Sequence, residues 1–509
     1  MDVTNILSLK LLVFSPLVMA VIFLLPVFYG HEVMTRRIAK SFAGMHFVYT
    51  CLFYLFFNNE LIVNYPTEIT FFGQHWIPSL GINLSFGLDG ISLLFVILTS
   101  FLVLMSCIAT KGIIKSKHGL YFSLIFLLET AVLGVFSSTD MFLFFLFWEL
   151  ELIPMYFLIS LWGSGKAKKS AMKFLLYTFI GSLFMLLGLL MVYSFNYIAT
   201  GELSADIQYL NLDVELTPVY LQLIASILIL FGFAVKIPLV PFHTWLPDAH
   251  TDAPAPVSML LAGILLKMGG YGILRFNMTV LSDSFMMIVP YIVALSFINI
   301  LFAAIAAYKQ TDVKRIVAYS SISSMGIVVL GLCSLNVIGL TGAIFLMIAH
   351  GITSAGLFYV VGIIYKRTNT REITQLGGLV KVIPRISGFT LVLIAACMGV
   401  PSTIGFVGEV LSFFGSFWSG ILNNYYIQVI TLCSILVLIL SACYSLRFLH
   451  GIFYGEIQER WKKLKDLSNH EFFVLTVFSF VIFLFGLLPM VLINVFMPVV
   501  RTIAGIYGG

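Results

Sequence analysis

The chain has 509 residues, of which 60% are hydrophobic and only 10% are charged, and its mean hydropathy is +1.05. Water-soluble globular domains carry about 25% charged residues, so the composition excludes a soluble domain and predicts a protein of the lipid bilayer. The formal net charge of +5 does not indicate a nucleic-acid partner, because positive charge in a membrane protein mainly orients its loops.

The hydrophobic residues occur in long runs that are nearly free of charge, unlike the short alternating strands of membrane barrels. We therefore predict an all-α polytopic fold with about fourteen transmembrane helices. In chain order they cover residues 6–29, 38–57, 89–110, 119–137, 140–162, 171–196, 218–247, 254–275, 285–307, 315–333, 337–364, 386–418, 426–453 and 472–499.

The loops between these runs alternate in charge. Lys and Arg concentrate in every second loop, whereas segments 58–88 and 201–216 contain acids and no Lys or Arg. The positive-inside rule places the basic loops in the cytoplasm, which predicts an even helix count with both termini outside, on the periplasmic side of a bacterial inner membrane. One predicted cytoplasmic loop departs from the pattern, because Asp248, His250 and Asp252 have no compensating base nearby in sequence.

Four ionisable residues fall well inside the predicted spans: Glu149, Lys236, Lys267 and Glu409. A charge at the centre of a bilayer costs at least about 2.5–3.5 kcal/mol on insertion scales, so these residues are candidates for an ion path rather than for packing. A structural ion pair or a side chain reaching the interface is the alternative interpretation. Secondary candidates in or near the spans are Glu129, Glu151, His243 and His350.

Glu149 and Glu151 are two residues apart, about 200° around a regular helix. In a continuous helix they cannot both face the same path. We predict that Glu149 faces it.

Two predicted helices contain prolines close to a charge. Pro238 and Pro241 follow Lys236, and Pro401 precedes Glu409. Proline removes backbone hydrogen bonds, and within a bilayer the freed groups must be satisfied by protein or by internal water. Broken helices at corresponding positions of two halves are typical of inverted-repeat transporters, so we predict breaks in helices 7 and 12.

The two breaks are five spans apart, so the units around them have opposite topology. Tyr271 and Arg275 at the end of helix 8 have an echo in Tyr444 and Arg447 of helix 13. The predicted organisation is helices 1–3 (residues 1–117), a first repeat of helices 4–8 (118–280), a second, inverted repeat of helices 9–13 (281–455), and a C-terminal loop with helix 14 (456–509).

A buried lysine beside a carboxylate can carry protons, because burial and the carboxylate act in opposite directions on its charged form. The sequence contains no Walker motif or dinucleotide fingerprint, and its six cysteines include no Cys-x-x-Cys pair that indicates a zinc or iron–sulfur site. We therefore expect no cofactor or metal on this chain. The driving energy must come from an ion gradient or a partner protein.

The combined motifs closely resemble the antiporter-like membrane-arm subunits of respiratory complex I, the proton-translocating NADH:quinone oxidoreductase. The nearest type is chain M, the mitochondrial chain 4 or the cyanobacterial D chain. The resemblance covers essentially the whole chain, and little sequence follows predicted helix 14 for the lateral helix of the L type. The motifs that carry it are Trp148–Leu150, Ala234–Pro238, Pro241–His250, Leu261–Gly272, Gln310–Ser321 and Gly405–Glu409.

The resemblance implies roles for the buried charges. The residue matching Glu149 tunes the pKa of the one matching Lys236, the residue matching Lys267 links two half-channels, and the one matching Glu409 ends the path. His243 and His350 match polar positions along or near this axis. The resemblance also implies that NADH, FMN, iron–sulfur clusters and quinone belong to partners, which are L- and N-type chains, small membrane chains and a peripheral redox arm.

One position departs from the family pattern. Most relatives have Ser-His-Met-Gly where this chain has Ser323-Ser324-Met325-Gly326, so a titratable relay group is missing. Water bound at Ser324 and a route through His350 are both open as replacements.

The leading hypothesis is a proton-translocating subunit of a complex I-type enzyme that carries no redox chemistry itself. The alternatives are a subunit of a multisubunit sodium/proton antiporter, a membrane subunit of a hydrogenase or another electron-donor complex, and a passive spacer of the membrane arm. The sequence leaves open the electron donor, the choice between proton and sodium, the stoichiometry and the side to which each half-channel opens.

Overall fold

The computed structural model describes residues 8–28, 30–56, 67–68, 76–207, 210, 217–419 and 425–508. The chain folds into a membrane bundle of α-helices. In chain order the helices are α1 (Leu9–Ile22), α2 (Glu32–Phe56), α3 (Gly90–Ala109), α4 (His118–Ser137), α5 (Met141–Leu150), α6 (Leu152–Trp162), α7 (Ala167–Thr200), α8 (Val219–Lys236), α9 (Trp245–Asp252), α10 (Ala255–Asn277), α11 (Ser282–Lys309), α12 (Val313–Leu332), α13 (Val337–Thr368), α14 (Pro384–Cys397), α15 (Ile404–Phe417), α16 (Tyr425–Ile435), α17 (Val437–Phe453), α18 (Asn469–Leu487) and α19 (Met490–Ile506).

A small antiparallel ribbon joins β1 (Thr67–Glu68) to β2 (Ser85–Phe86), with Thr67 opposite Phe86. Single 3₁₀ turns occupy Pro26–Phe28, Pro78–Leu80, Ile373–Gln375, Leu379–Lys381 and Glu459–Trp461. Much of the two long acidic segments predicted from the sequence, including Glu60, Asp213 and Glu215, lies outside the described residues.

The all-α, multi-pass architecture is confirmed. Within the described residues, eleven helical segments are long and apolar enough to cross a membrane, and four shorter apolar helices accompany them. The shorter ones are α1, α14, α15 and α19. Several predicted spans consist of two helices in series: α5 with α6, α8 with α9, α14 with α15, and α16 with α17.

The predicted breaks in helices 7 and 12 are both present. α8 ends at Lys236 and α9 begins at Trp245, so an irregular segment with Pro238 and Pro241 separates them. α14 ends at Cys397 and α15 begins at Ile404, beyond Pro401. The inverted relation of the two five-helix units and their boundaries stay predictions.

A further break occurs where the sequence predicted one helix, 140–162. α5 ends at Leu150, and α6 begins at Leu152 after the single residue Glu151. Pro154 explains this break, because it has no N–H to donate to the carbonyl of Leu150 and its ring crowds that carbonyl.

The predicted helix 472–499 is wrong as a single helix. α18 ends at Leu487, and Leu488 takes a non-helical conformation before Pro489, as residues before proline tend to do. The separate α19 buries Leu492, Phe496, Val500 and other residues along one face, which packs on α3 and α13. Gly90 touches the Val495 carbonyl so closely that no Cβ fits.

The centre of the bundle consists of α10 and α13. Every residue in the apolar window of each is buried, whereas only 28% of the window of α18 is buried. α10 contains two π-helical stretches, Leu261–Leu265 and Ile273–Asn277, on either side of the turn with Lys267. These two helices therefore place Lys267 and His350 in the buried centre of the bundle.

Candidate functional site

The predicted charges lie inside the bundle and at irregular points of their helices. Lys236, Lys267 and Glu409 are 1%, 0% and 8% exposed, and Glu149 is partly buried. Lys236 is the last residue of α8, Lys267 lies between the π-helical stretches of α10, and Glu409 lies near the start of α15. π-helical turns and helix ends leave backbone groups unpaired, which favours polar side chains there.

Lys236 forms an ion pair with Glu151. The Lys236 Nζ donates to Glu151 Oε1, and both side chains are almost fully buried. The Nζ also lies 5.4 Å from the centre of the Trp148 ring and 5.6 Å from that of Phe174. The ammonium thus rests among aromatic faces with one carboxylate in direct contact.

The geometry of the two acids differs from the prediction. Glu151, not Glu149, contacts Lys236. Glu151 lies at the interruption between α5 and α6 but keeps helical backbone angles of φ −67° and ψ −23°. Glu149 still interacts electrostatically with Lys236, and its Oε1 has no hydrogen-bond partner within the described part of the chain. Both acids therefore lie near the same lysine, and the role of Glu149 stays a prediction.

Lys267 contacts His350 on the neighbouring central helix. Its Nζ lies 2.7 Å from His350 Nδ1 and donates to the carbonyl of Ala262 at 2.5 Å. Because an ammonium only donates, Nδ1 accepts and the proton of a neutral His350 ring is on Nε2. That Nε2 has no partner among the residues described.

A small cavity separates His350 from Glu409. It offers about 20 Å³ to the centres of water molecules, enough for at least one water. Ser324, Thr353 and Cys397 also line it. Ser324 and His350 therefore line the same water-sized cavity. These are the two residues considered as replacements for the missing imidazole.

Asp248 belongs to the acidic segment that has no basic residue nearby in the sequence. In the folded chain, two basic side chains contact it. Lys173 of α7 and Arg315 of α12 donate to opposite oxygens of Asp248, at 2.8 and 2.7 Å. Asp252 accepts from the Ser170 hydroxyl at 2.6 Å. The bases that the sequence lacks nearby therefore come from helices distant in the chain.

The two remaining predicted residues have different surroundings. His243 is buried with its ring 5.1 Å from that of Phe302, in the irregular segment after Lys236. Glu129 lies in α4 and pairs with His46 of α2 at 3.0 Å, a contact that connects the first three helices to the first predicted repeat. Neither residue forms a hydrogen bond with Lys236, Lys267 or Glu409 within the described residues.

Sequence reasoning missed two buried polar residues near the site. His250 stacks on Phe358 with ring centres 4.3 Å apart, and neither ring nitrogen has a partner in the described structure. Lys314 is 5% exposed and donates to the carbonyl of His250 at 2.9 Å. Both were assigned to loop regions. The density of polar residues in Pro241–His250 was the available signal.

The profile of the family described as NADH:quinone oxidoreductase/Mrp antiporter, transmembrane, matches residues 138–439, more than half of the chain. NADH-quinone oxidoreductase subunit M of Rickettsia prowazekii is 36% identical over 490 residues, which cover 96% of each chain. The chain belongs to the NADH:quinone oxidoreductase/Mrp antiporter family. The resemblance inferred from its motifs is confirmed.

Solved structures support the same assignment for this antiporter-family chain. A chain of respiratory complex I from Thermus thermophilus has a TM-score of 0.86 and 26% identity, with 99% of this chain and 100% of that chain covered. A chain of the Mrp complex from a Dietzia species has a TM-score of 0.85 at 21% identity and covers 98% and 97%. The second match concerns the fold alone.

Among the described residues, no three His, Cys, Asp or Glu side chains are grouped to hold a metal ion. In this antiporter-family chain, each of two buried lysines instead has a proton acceptor beside it. Lys236 lies beside Glu151, Lys267 beside His350, and Glu409 across a water-sized cavity from His350. Such an arrangement can hold and pass protons within the bundle.

Proposed function

We propose that this chain is a proton-translocating, non-redox subunit of a complex I-type NADH:quinone oxidoreductase. The observation that carries the proposal is the Lys267–His350 contact between α10 and α13, whose central apolar stretches are completely buried. A lysine that donates to a neutral imidazole at 2.7 Å has a proton acceptor in place. The subunit M relative from Rickettsia prowazekii and the Thermus thermophilus complex I chain support the choice of complex.

The first step concerns Lys236 and Glu151. While the carboxylate touches the ammonium, the charged lysine is stabilised. If Glu151 moves away, burial among Trp148 and Phe174 favours the neutral amine, and Lys236 releases a proton. The break between α5 and α6 gives Glu151 a short hinge for such a movement. Glu149, within electrostatic range, adjusts the balance.

The second step passes a proton through His350. Nδ1 accepts a proton from Lys267, and the imidazolium then gives its Nε2 proton to water in the cavity shared with Ser324 and Glu409. One proton enters the ring and one leaves, so the charge balances. Glu409 takes up the proton at the far wall of the cavity.

Partners supply the redox chemistry in this proposal. They are L- and N-type antiporter-like chains, small membrane chains and a peripheral arm with NADH, FMN, iron–sulfur clusters and quinone. The chain resides in the inner membrane of a bacterium with both termini on the outer side. This orientation follows from the basic loops.

A sodium/proton antiporter subunit is the second candidate, and the fold match to an Mrp complex favours considering it. A membrane subunit of a hydrogenase or of another electron-donor complex is a variant of the first candidate, the complex I-type subunit. The subunit list of the purified native complex distinguishes them. Flavin and iron–sulfur subunits support the proposal, whereas small membrane chains alone support the antiporter.

The role of the buried lysines is tested with Lys236→Ala in the assembled complex. We expect quinone reduction to persist while proton movement across the membrane falls strongly, because the cation of the first unit is gone. Lys381→Ala, at an exposed position, is the matched control. Normal pumping by Lys236→Ala would remove the proposed role and favour the passive spacer.

A further inference from the structure

A second buried pair of ionisable side chains lies away from the four charges of the proposed path. His46 of α2 and Glu129 of α4 are 2% and 1% exposed in their side chains, and Nδ1 lies 3.0 Å from Glu129 Oε1. The other ring nitrogen, Nε2, lies 3.1 Å from the carbonyl oxygen of Leu12 in α1. The pair thus connects three helices at once.

The contact with Leu12 fixes one proton on the imidazole. Pro16 lies inside α1, four residues after Leu12, and it has no N–H to donate to the Leu12 carbonyl. A buried carbonyl of this kind needs a donor from elsewhere, and His46 Nε2 lies within hydrogen-bond distance. Because a carbonyl only accepts, Nε2 carries a proton.

The contact with Glu129 then requires one further proton. An ionised carboxylate only accepts, and an unprotonated Nδ1 also only accepts. A hydrogen bond at 3.0 Å therefore contains a proton on one side or the other. The pair is either an imidazolium with a carboxylate or a neutral imidazole with a carboxylic acid, and its net charge is zero in both forms.

The surroundings leave one oxygen of the pair available. Glu129 Oε2 is buried and has no hydrogen-bond partner within the described residues. The His46 ring stacks on Phe42 with centres 5.9 Å apart, and Cys107 is the titratable side chain of α3 that interacts electrostatically with Glu129. Oε2 can thus accept a proton without breaking an existing hydrogen bond.

We propose that His46 and Glu129 form a proton-binding site of this chain that holds one proton in the Nδ1–Oε1 hydrogen bond and exchanges it through Glu129 Oε2 during turnover. The site lies outside the broken helices that carry Lys236 and Glu409. α4 packs directly on α5 and α6, which carry Glu149 and flank Glu151, so the site adjoins the first half of the path. The proposal rests on the proposed proton-translocating function.

The test uses Glu129→Gln and His46→Gln in the assembled complex. In Glu129→Gln, the introduced amide can donate to His46 Nδ1 and keep the contact without a transferable proton. We expect each variant to reduce quinone normally with a lower ratio of protons moved per quinone and an altered pH profile. Because the two residues share one proton, the proton ratio of the double variant should fall no further than that of either single variant.

Infrared difference spectra during turnover give an independent readout. The parent complex should show a hydrogen–deuterium-sensitive carboxyl or imidazole band that disappears in Glu129→Gln. Thr50→Val is the matched control, because it removes a buried hydrogen bond from α2 to Ser100 at 2.7 Å that involves no ionisable group. It should preserve the band and the proton ratio.

Normal proton ratios and pH profiles in both single variants would overturn the proposal, as would a parent spectrum without the Glu129 band. The pair would then be a structural hydrogen bond. Lys236→Ala, measured in parallel, separates this outcome from failure of the proposed function. If Lys236→Ala loses pumping while Glu129→Gln does not, only the second site is rejected.

Discussion

At the scale of the residue, the ion pair with Glu151 stabilises the buried charge of Lys236. Lys236 contacts Glu151 at the one-residue interruption between α5 and α6, and Pro154 lies inside the first turn of α6. A sequence window of about 20 residues reads this region as one apolar span. The lysine was predictable from the sequence, but its direct partner was not.

We expect Glu151→Gln to be more damaging than Glu149→Gln. Removing one member of a buried ion pair costs about 3–5 kcal/mol because the other charge stays buried, and Glu149 makes no such contact with Lys236. Thermal unfolding and proton pumping of the assembled complex measure the difference. Equal stability and activity of the two variants would contradict the assignment of Glu151 as the partner.

Ser324 is the second residue at which a prediction can be tested. Ser324→Ala removes the hydroxyl that can bind water in the cavity beside His350 and adds no atoms that would fill it. We expect slower proton movement with normal quinone reduction, and recovery in Ser324→His, whose imidazole can transfer the proton itself. Ser323→Ala is the control, since Ser323 bonds the carbonyl of Ile300 instead. Full activity of Ser324→Ala would show that the hydroxyl is dispensable.

At the scale of the element, α9 is held between the two predicted repeats. Asp248 accepts from Lys173 of α7 and from Arg315 of α12, 75 and 67 residues away in the chain. Lys314 adds a bond to the carbonyl of His250. The short half-helix after Lys236 is therefore tied to α12, whose Ser324 lines the cavity of the second unit.

This connection predicts energetic coupling between Asp248 and Arg315. The pair is about one-third exposed, and partly exposed ion pairs contribute about 0.2–1 kcal/mol. In a double-mutant cycle, Asp248→Asn and Arg315→Gln should be non-additive by an amount in that range. Additive effects on thermal stability would mean that the contact does not hold α9 in place.

The elements differ in how far the sequence predicts them. The breaks after Lys236 and before Glu409 were predictable because Pro238 and Pro401 interrupt apolar runs that also contain a buried charge. The separate α19 was not, because α18 and α19 form one apolar run and only Pro489 marks the boundary. The pairs His46–Glu129 and Asp248–Arg315 were not predictable either. Their members are far apart in the chain, and the sequence does not indicate which helices pack together.

At the scale of the whole molecule, the central apolar stretches of α10 and α13 are completely buried and form the middle of the bundle. α10 carries Lys267 and α13 carries His350, and in the proposed path their contact links the Lys236–Glu151 pair to Glu409. Composition and hydropathy predicted a membrane bundle, and the motifs predicted its family. The order in which polar side chains meet inside the bundle required the structure.

The most direct test of the central claim measures protons moved per quinone reduced by the complex with Lys267→Met in proteoliposomes. Methionine keeps a flexible side chain of similar length but cannot donate a proton to His350. The account predicts that quinone reduction continues while the proton ratio falls below that of the parent complex. An unchanged ratio in an intact complex would contradict a path through Lys267 and His350.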